Sequence, residues 1–279
     1  MKTFSNLFSE SWVTFKKFIR PILIGAVVFG TVMGVAQMSL ERNTTLEINK
    51  TLGVFGLDAQ RMQELQRRVA LGDEQAVQEF TDAMKNVQEK KDQLGEEVFA
   101  RMMVQSTLST FAGMTWFAPL MLVISIFSFL FFLLLAVTGV QDPVVLIKQT
   151  AVRFFPFLGL SLWVMVRSFI WIPLIGIIIA IIVGPRLALA PVIMLTEKKG
   201  VFESASLSYT RSQGYWGKII GNSFLAGLLV AIVLIVAGII LSIGGPTIGT
   251  LLKSIFNMMG VAFNVIFIFK LSQAVMARA

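Results

Sequence analysis

GPRLALAPVIMLTEKKGVFESASLSYTRSQGYWGKIIG, residues 184–221, is the stretch on which the fold turns. It begins inside an apolar run, leaves it at Glu197-Lys198-Lys199, crosses an amphipathic segment and returns to apolar sequence after Lys218. The segment from Val201 to Gln213 sets Phe202, Ala205, Leu207 and Tyr209 among Glu203, Ser204, Ser206, Ser208 and Arg211. It is too short and too polar to cross a bilayer, which takes ~20 apolar residues in a helix. A cytoplasmic interfacial helix over residues 201–214, between two spans, is the natural reading. Tyr215 and Trp216 mark the water–membrane boundary, where such rings settle.

Working outward, the chain is 56% hydrophobic and 14% charged, with mean hydropathy +0.78. Soluble domains carry about 25% charged residues. The apolar runs are continuous rather than alternating. In hydrocarbon that selects helices over barrel strands. The expected fold is an all-α integral membrane protein with six transmembrane helices. There is no cysteine and no histidine. That removes thiol nucleophiles, imidazole bases and the HExxH zinc site. No aspartate falls within a span, which excludes an intramembrane aspartyl protease. We expect no enzyme, no catalytic residue, no cofactor and no metal. The net charge of +8 sits beside the spans, so it reads as topology and not as nucleic-acid binding.

Residues 1–20 alternate Phe4, Leu7, Phe8, Trp12, Phe15 and Ile19 with polar side chains at helical spacing. They are expected to form a helix on the cytoplasmic membrane surface. The first span is 21–38, ending before Glu41-Arg42. As a signal peptide it would need a better cleavage site than Gly34-Val35-Ala36, so an uncleaved anchor is preferred. The further spans are expected at 111–139, 154–171, 173–195, 218–242 and 251–270. Asp142-Pro143 closes the second, and Lys148 and Arg153 follow in a cytoplasmic loop. Arg167 and Trp171 are placed at the outer interface, around a turn at 168–173. The alternative for 154–195 is one tilted span with a re-entrant piece. Gly244-Gly245-Pro246 makes the last outer turn. The Lys and Arg of the short loops place both termini in the cytoplasm.

Residues 41–101 are the one polar insertion, with nine basic and twelve acidic residues. They are expected to form an extracytoplasmic helical hairpin. Asp58 caps its first helix, which sets Met62, Leu65 and Val69 on one face. Gly72 ends that helix and Asp73 caps the second. The second carries Val77, Phe80, Met84, Val87, Leu94 and Val98 in an a/d-like pattern. That face either packs within the hairpin or pairs with a protein partner or a second copy, through residues 58–98. Asn43-Thr44-Thr45 and Asn49-Lys50-Thr51 match the glycosylation sequon, a frequent chance pattern.

Arg186 lies inside a span with no acidic residue in any span to pair it. It either snorkels or finds acceptors, and Asn222, Asn264 or a lipid phosphate are its candidate lipid or anion contacts. Pro191 loosens the helix one turn on. Gly30/Gly34, Gly217/Gly221 and Gly245/Gly249 have GxxxG spacing and are candidate helix-packing positions.

The order Arg186, Pro191, Glu197, Gly200, then Glu203, Ala205, Ser208, Thr210 and Arg211, then Gly214, Tyr215 and Trp216, resembles the YciC-type bacterial inner-membrane proteins. It is also similar to the membrane domain fused to some glycerophosphodiester phosphodiesterases. The likeness covers about 172–221. It departs in having Gly184-Pro185 where Pro-Gly commonly precedes the arginine, and in the long insertion. The resemblance implies a six-helix protein of the bacterial cytoplasmic membrane and little about activity. On these grounds we expect a non-enzymatic scaffold, assembly partner or envelope-homeostasis factor among membrane lipids. The alternative is a transporter, channel or lipid-handling protein whose anionic or lipid substrate contacts Arg186.

Overall fold

A computed structural model describes residues 2–54, 57–169 and 183–278. Among the described residues there are helices and no strands. They are α1 (Phe4–Lys17), α2 (Ile19–Val54), α3 (Ala59–Ala70), α4 (Glu74–Leu94), α5 (Glu96–Thr138) and α6 (Pro143–Phe169). After a helical turn at 183–187 come α7 (Ala190–Thr196), α8 (Val201–Arg211), α9 (Trp216–Leu241) and α10 (Pro246–Met276). Among the described residues, five helices are long and apolar enough to cross a membrane: Ile19–Lys50, Thr115–Thr138, Pro143–Arg167, Trp216–Leu241 and Thr247–Met276. The first half of the expected span 173–195, and most of the expected turn at 168–173, lie outside the described residues.

Helix boundaries differ from span boundaries for a simple reason: charge stops a span but not a helix. α2 runs past Glu41-Arg42 to Val54, because no Gly or Pro occurs between Ala36 and Leu52. α5 begins at Glu96, well before position 111. Asp142-Pro143 opens α6. The Val144 amide donates to Asp142 Oδ1 at 2.9 Å, and proline needs no partner at a first helical position. The expected loop holding Lys148 and Arg153 is therefore helical. Gly245, at φ +83°, turns the chain between α9 and α10, and Pro246 starts α10.

The chain divides into two compact units, Met1–Val35 with Leu122–Ala279, and Ala36–Met121. In the larger unit, Leu130 to Leu135 of α5 are fully buried in succession, so protein surrounds that turn and a half of helix on every side. Phe29 of α2 meets Phe131 edge-on at 5.4 Å. α9 is the opposite case. Its mean hydropathy is 3.2 and only 6% of its apolar window is buried, the pattern of a helix facing lipid.

α1, the amphipathic helix expected on the membrane surface, also packs against protein along one face. Its stripe of Leu7, Ser11 and Phe15 is buried. Phe8 meets Phe263 at 5.2 Å and Phe4 meets Phe267 at 5.8 Å, so the stripe docks on α10. Trp12 and Val13 stay exposed.

In the smaller unit, α3 and α4 pack on each other. Gly72 takes φ +82°. Asp73 accepts from the Ala76 amide at 3.2 Å and pairs with Arg68 at 2.8 Å. The seam is made by Leu65, Ala76 and Ala83. The larger apolar residues one position on, Val77 and Met84, are 47% and 48% exposed. One residue is ~100° of helix. The alanine stripe lets α3 approach closely, and the bulkier stripe beside it stays about half exposed.

Candidate functional site

The polar centre of the larger unit is a broken helix pinned by α8. Pro191 has no amide hydrogen, and its ring opposes the carbonyl four residues back. The chain accordingly turns at Ala188 and Leu189 before α7 begins. The Arg186 carbonyl accepts from Ser208 Oγ at 2.6 Å and from Ser212 Oγ at 3.3 Å. These serines are four apart on α8 and its C-cap, hence on one face, and both are fully buried. Arg186 Nη1 donates to Tyr209 Oη at 2.6 Å, and the guanidinium lies 4.8 Å from the Tyr209 ring centroid. Among the described residues, the buried Arg186 Nε has no hydrogen-bond partner.

A second link closes the segment. Arg211 and Glu197 form a two-pronged pair, with Arg211 Nη2 donating to Glu197 Oε2 at 3.1 Å. Arg211 also reaches Met276 Sδ at 3.9 Å, at the end of α10. The Arg211 hydrogen bond holds the Glu197 carboxyl below the usual carboxylate range. The same bond raises Arg211, and a 2.6 Å pair with Glu203 raises Lys199. Gly200 caps α8 in an extended conformation, Ala205 is buried against Leu160 and Leu187, and Gly214 at φ +78° turns the chain toward Trp216.

The expected contacts of Arg186 are differently disposed. The Asn222 amide nitrogen donates to the Lys218 carbonyl of its own helix at 2.6 Å. Asn264 is half-buried in α10. Neither bonds Arg186, whose acceptor is Tyr209. Sequence reasoning passed over Tyr209 and Ser212 as partners. The signal was present: Ser204, Ser208 and Ser212 recur every four residues, one hydroxyl stripe on an amphipathic helix.

The three glycine pairs also separate. A Cβ on Gly30 would fall 2.5 Å from Ile255 Cα, and one on Gly34 3.0 Å from Leu251 Cδ2, so this pair seats α2 on α10. Among the described residues, a Cβ on Gly217 or Gly221 would meet nothing within 4 Å beyond its own stretch of helix. Gly245 and Gly249 belong to the turn, with Gly249 2.9 Å (as a Cβ) from the Leu241 carbonyl oxygen.

Arg167 was expected at the outer interface and residues 201–214 at the cytoplasmic one. Those two placements exclude each other. A Cβ on Gly159 would be 3.8 Å from Val201 Cγ2, Trp163 meets Phe202 edge-on at 4.9 Å, and Arg167 lies 5.8 Å from the Tyr209 ring. The end of α6 thus runs alongside α8, and it does not carry Arg167 to the face opposite α8.

Two of the cavities within the larger unit are mainly apolar. One, of about 240 Å³, is a nearly all-apolar slot between α1, α9 and α10. The other, of about 410 Å³, is lined chiefly by Phe129, Phe157, Leu160, Ser161, Leu187 and Pro191. Neither Arg186 nor Asn264 lines either one.

These helices define an all-helical protein of membrane-spanning character. No family model matches the sequence, and neither a curated protein nor a solved structure matches it.

Proposed function

We propose that this chain is a non-enzymatic, multi-pass membrane protein that acts as a scaffold or assembly partner. It resides in the bacterial cytoplasmic membrane, as the resemblance of 172–221 to YciC-type proteins implies. Both termini and α8 face the cytoplasm and the α3–α4 pair faces outward.

The observation that carries this reading is the stripe on α4. Val77 and Met84 are about half exposed while the neighbouring alanines make the seam with α3. Apolar residues at i and i+7 on a charged helix are the pattern of a helix pairing with another helix. Arg186 supports the same reading. Its guanidinium and its carbonyl are both engaged by α8, so it joins two elements of the fold and leaves little for a travelling substrate.

The test is purification of the full chain in mild detergent, with Val77→Glu and Met84→Glu introduced together. Co-purification of a stoichiometric protein with the parent, and its loss from the variant, is the expected result. A parent that carries no protein, or a partner retained by the variant, contradicts the reading.

A further inference from the structure

The slot between α1, α9 and α10 suggests a ligand of its own. Phe8, Trp12 and Phe15 form one wall, Leu229 and Val233 of α9 another, and Phe263 the floor. Gly260 lets the two long helices close: a Cβ there would fall 2.9 Å from Leu234 Cδ1. The lining offers essentially no polar group, so no polar solute is matched by it. Its mouth is different. Lys16 lies 5.8 Å over the Trp12 ring, one turn along α1, and exposed Lys17 and Arg20 follow. The pair formed by Lys2 and Glu10 sits toward the opposite end of α1. Among the described residues, no carboxylate forms an ion pair with Lys16, Lys17 or Arg20.

We propose that this slot holds one acyl chain of an anionic phospholipid, with the headgroup phosphate on Lys16 beside Trp12. An apolar groove between two membrane helices, ending at a tryptophan and an unpaired cation, matches the order of a phospholipid from chain to charge. Zwitterionic lipid supplies the same chain without the net charge that the basic end of α1 selects. The assignment rests on α9 and α10 being membrane spans. Retention of the protein in washed bilayers reports that separately.

The full chain, with its other four tryptophans replaced by Phe, is reconstituted into bilayers containing either brominated-chain phosphatidylglycerol or brominated-chain phosphatidylcholine. Trp12 fluorescence is read as a function of the brominated fraction. Quenching that saturates at a low fraction of the anionic lipid, and only near-random quenching by the zwitterionic one, is expected. Lys16→Ala weakens the anionic preference roughly fivefold, the contribution of one cation near an anionic headgroup. Val233→Phe, which fills the slot from an exposed position, lowers quenching by both lipids. Equal quenching by the two lipids, or a preference unchanged in Lys16→Ala, overturns the headgroup assignment. Absence of quenching by either lipid in a protein that stays in washed bilayers overturns the acyl site and gives the slot to protein.

Discussion

Replacing Gly30 by alanine tests the packing of the larger unit at one point. The new methyl carbon would sit 2.5 Å from Ile255 Cα and 2.8 Å from its amide nitrogen. Both are backbone atoms, so no side-chain rotation relieves the contact. Ordinary carbon contacts begin at ~3.5 Å, so α2 and α10 must separate by roughly 1 Å there. Overpacking of this kind costs about 1–3 kcal/mol. Alanine's helix propensity returns up to about 1 kcal/mol, which leaves a net loss. Gly34→Ala should cost less, since its nearest neighbours are the mobile Leu251 Cδ2 at 3.0 Å and Ser254 Oγ at 3.2 Å. Gly217→Ala is the control. Its Cβ would meet no described atom within 4 Å outside its own stretch of helix, so only the propensity gain remains. Thermal unfolding of the three variants in one detergent should rank Gly30→Ala lowest, then Gly34→Ala, with Gly217→Ala at or above the parent. A Gly30→Ala protein as stable as Gly217→Ala would refute the claim that this pair, and not the spacing as such, seats the helices.

Tyr209→Phe keeps the ring beside Arg186 but removes the 2.6 Å acceptor, so it should lose about 1.5–3 kcal/mol and speed proteolysis between α7 and α8. Rates equal to the parent's would show that the bond does not hold the break together. The pair of Glu197 with Arg211 gives a pH dependence of fixed sign. Its folded carboxyl titrates below the unfolded one, so the pair's contribution is complete above about pH 4.3 and fades as pH falls through the lower folded value. The stability advantage of the parent over Glu197→Gln should therefore shrink on acidification; an advantage that grows would contradict the assignment.

The parts of this fold that the sequence made legible are those set by local chemistry. Asp58, Gly72 and Asp73 bound α3 and α4 because a carboxylate cap and a left-handed glycine act on their immediate neighbours. The turn at Gly245-Pro246 was visible for the same reason. What escaped was tertiary. An apolar stripe on α1 has the same periodicity whether it meets lipid or the Phe263 and Phe267 rings. On α4 the fully buried positions are Ala76 and Ala83, residues too small to register as hydrophobic signals, while Phe80 and Val87 of the a/d-like pattern are half-buried and Val77 and Met84 are exposed. At Arg186 the need for acceptors was legible from its place in an apolar run. The choice of Tyr209 and the serine stripe was not, since they lie more than twenty positions away on another helix.

The absence of native cysteine makes the decisive measurement direct. Single cysteines at Lys2, Lys85, Ser206 and Arg278, all exposed, are probed with a membrane-impermeant maleimide in intact spheroplasts and after permeabilisation. The account predicts that position 85 labels from outside, while 2, 206 and 278 label only after permeabilisation. Labelling of position 206 from the same side as 85, or of 2 and 278 from different sides, would contradict a membrane bundle that keeps α8 and both termini on one face and offers α4 on the other.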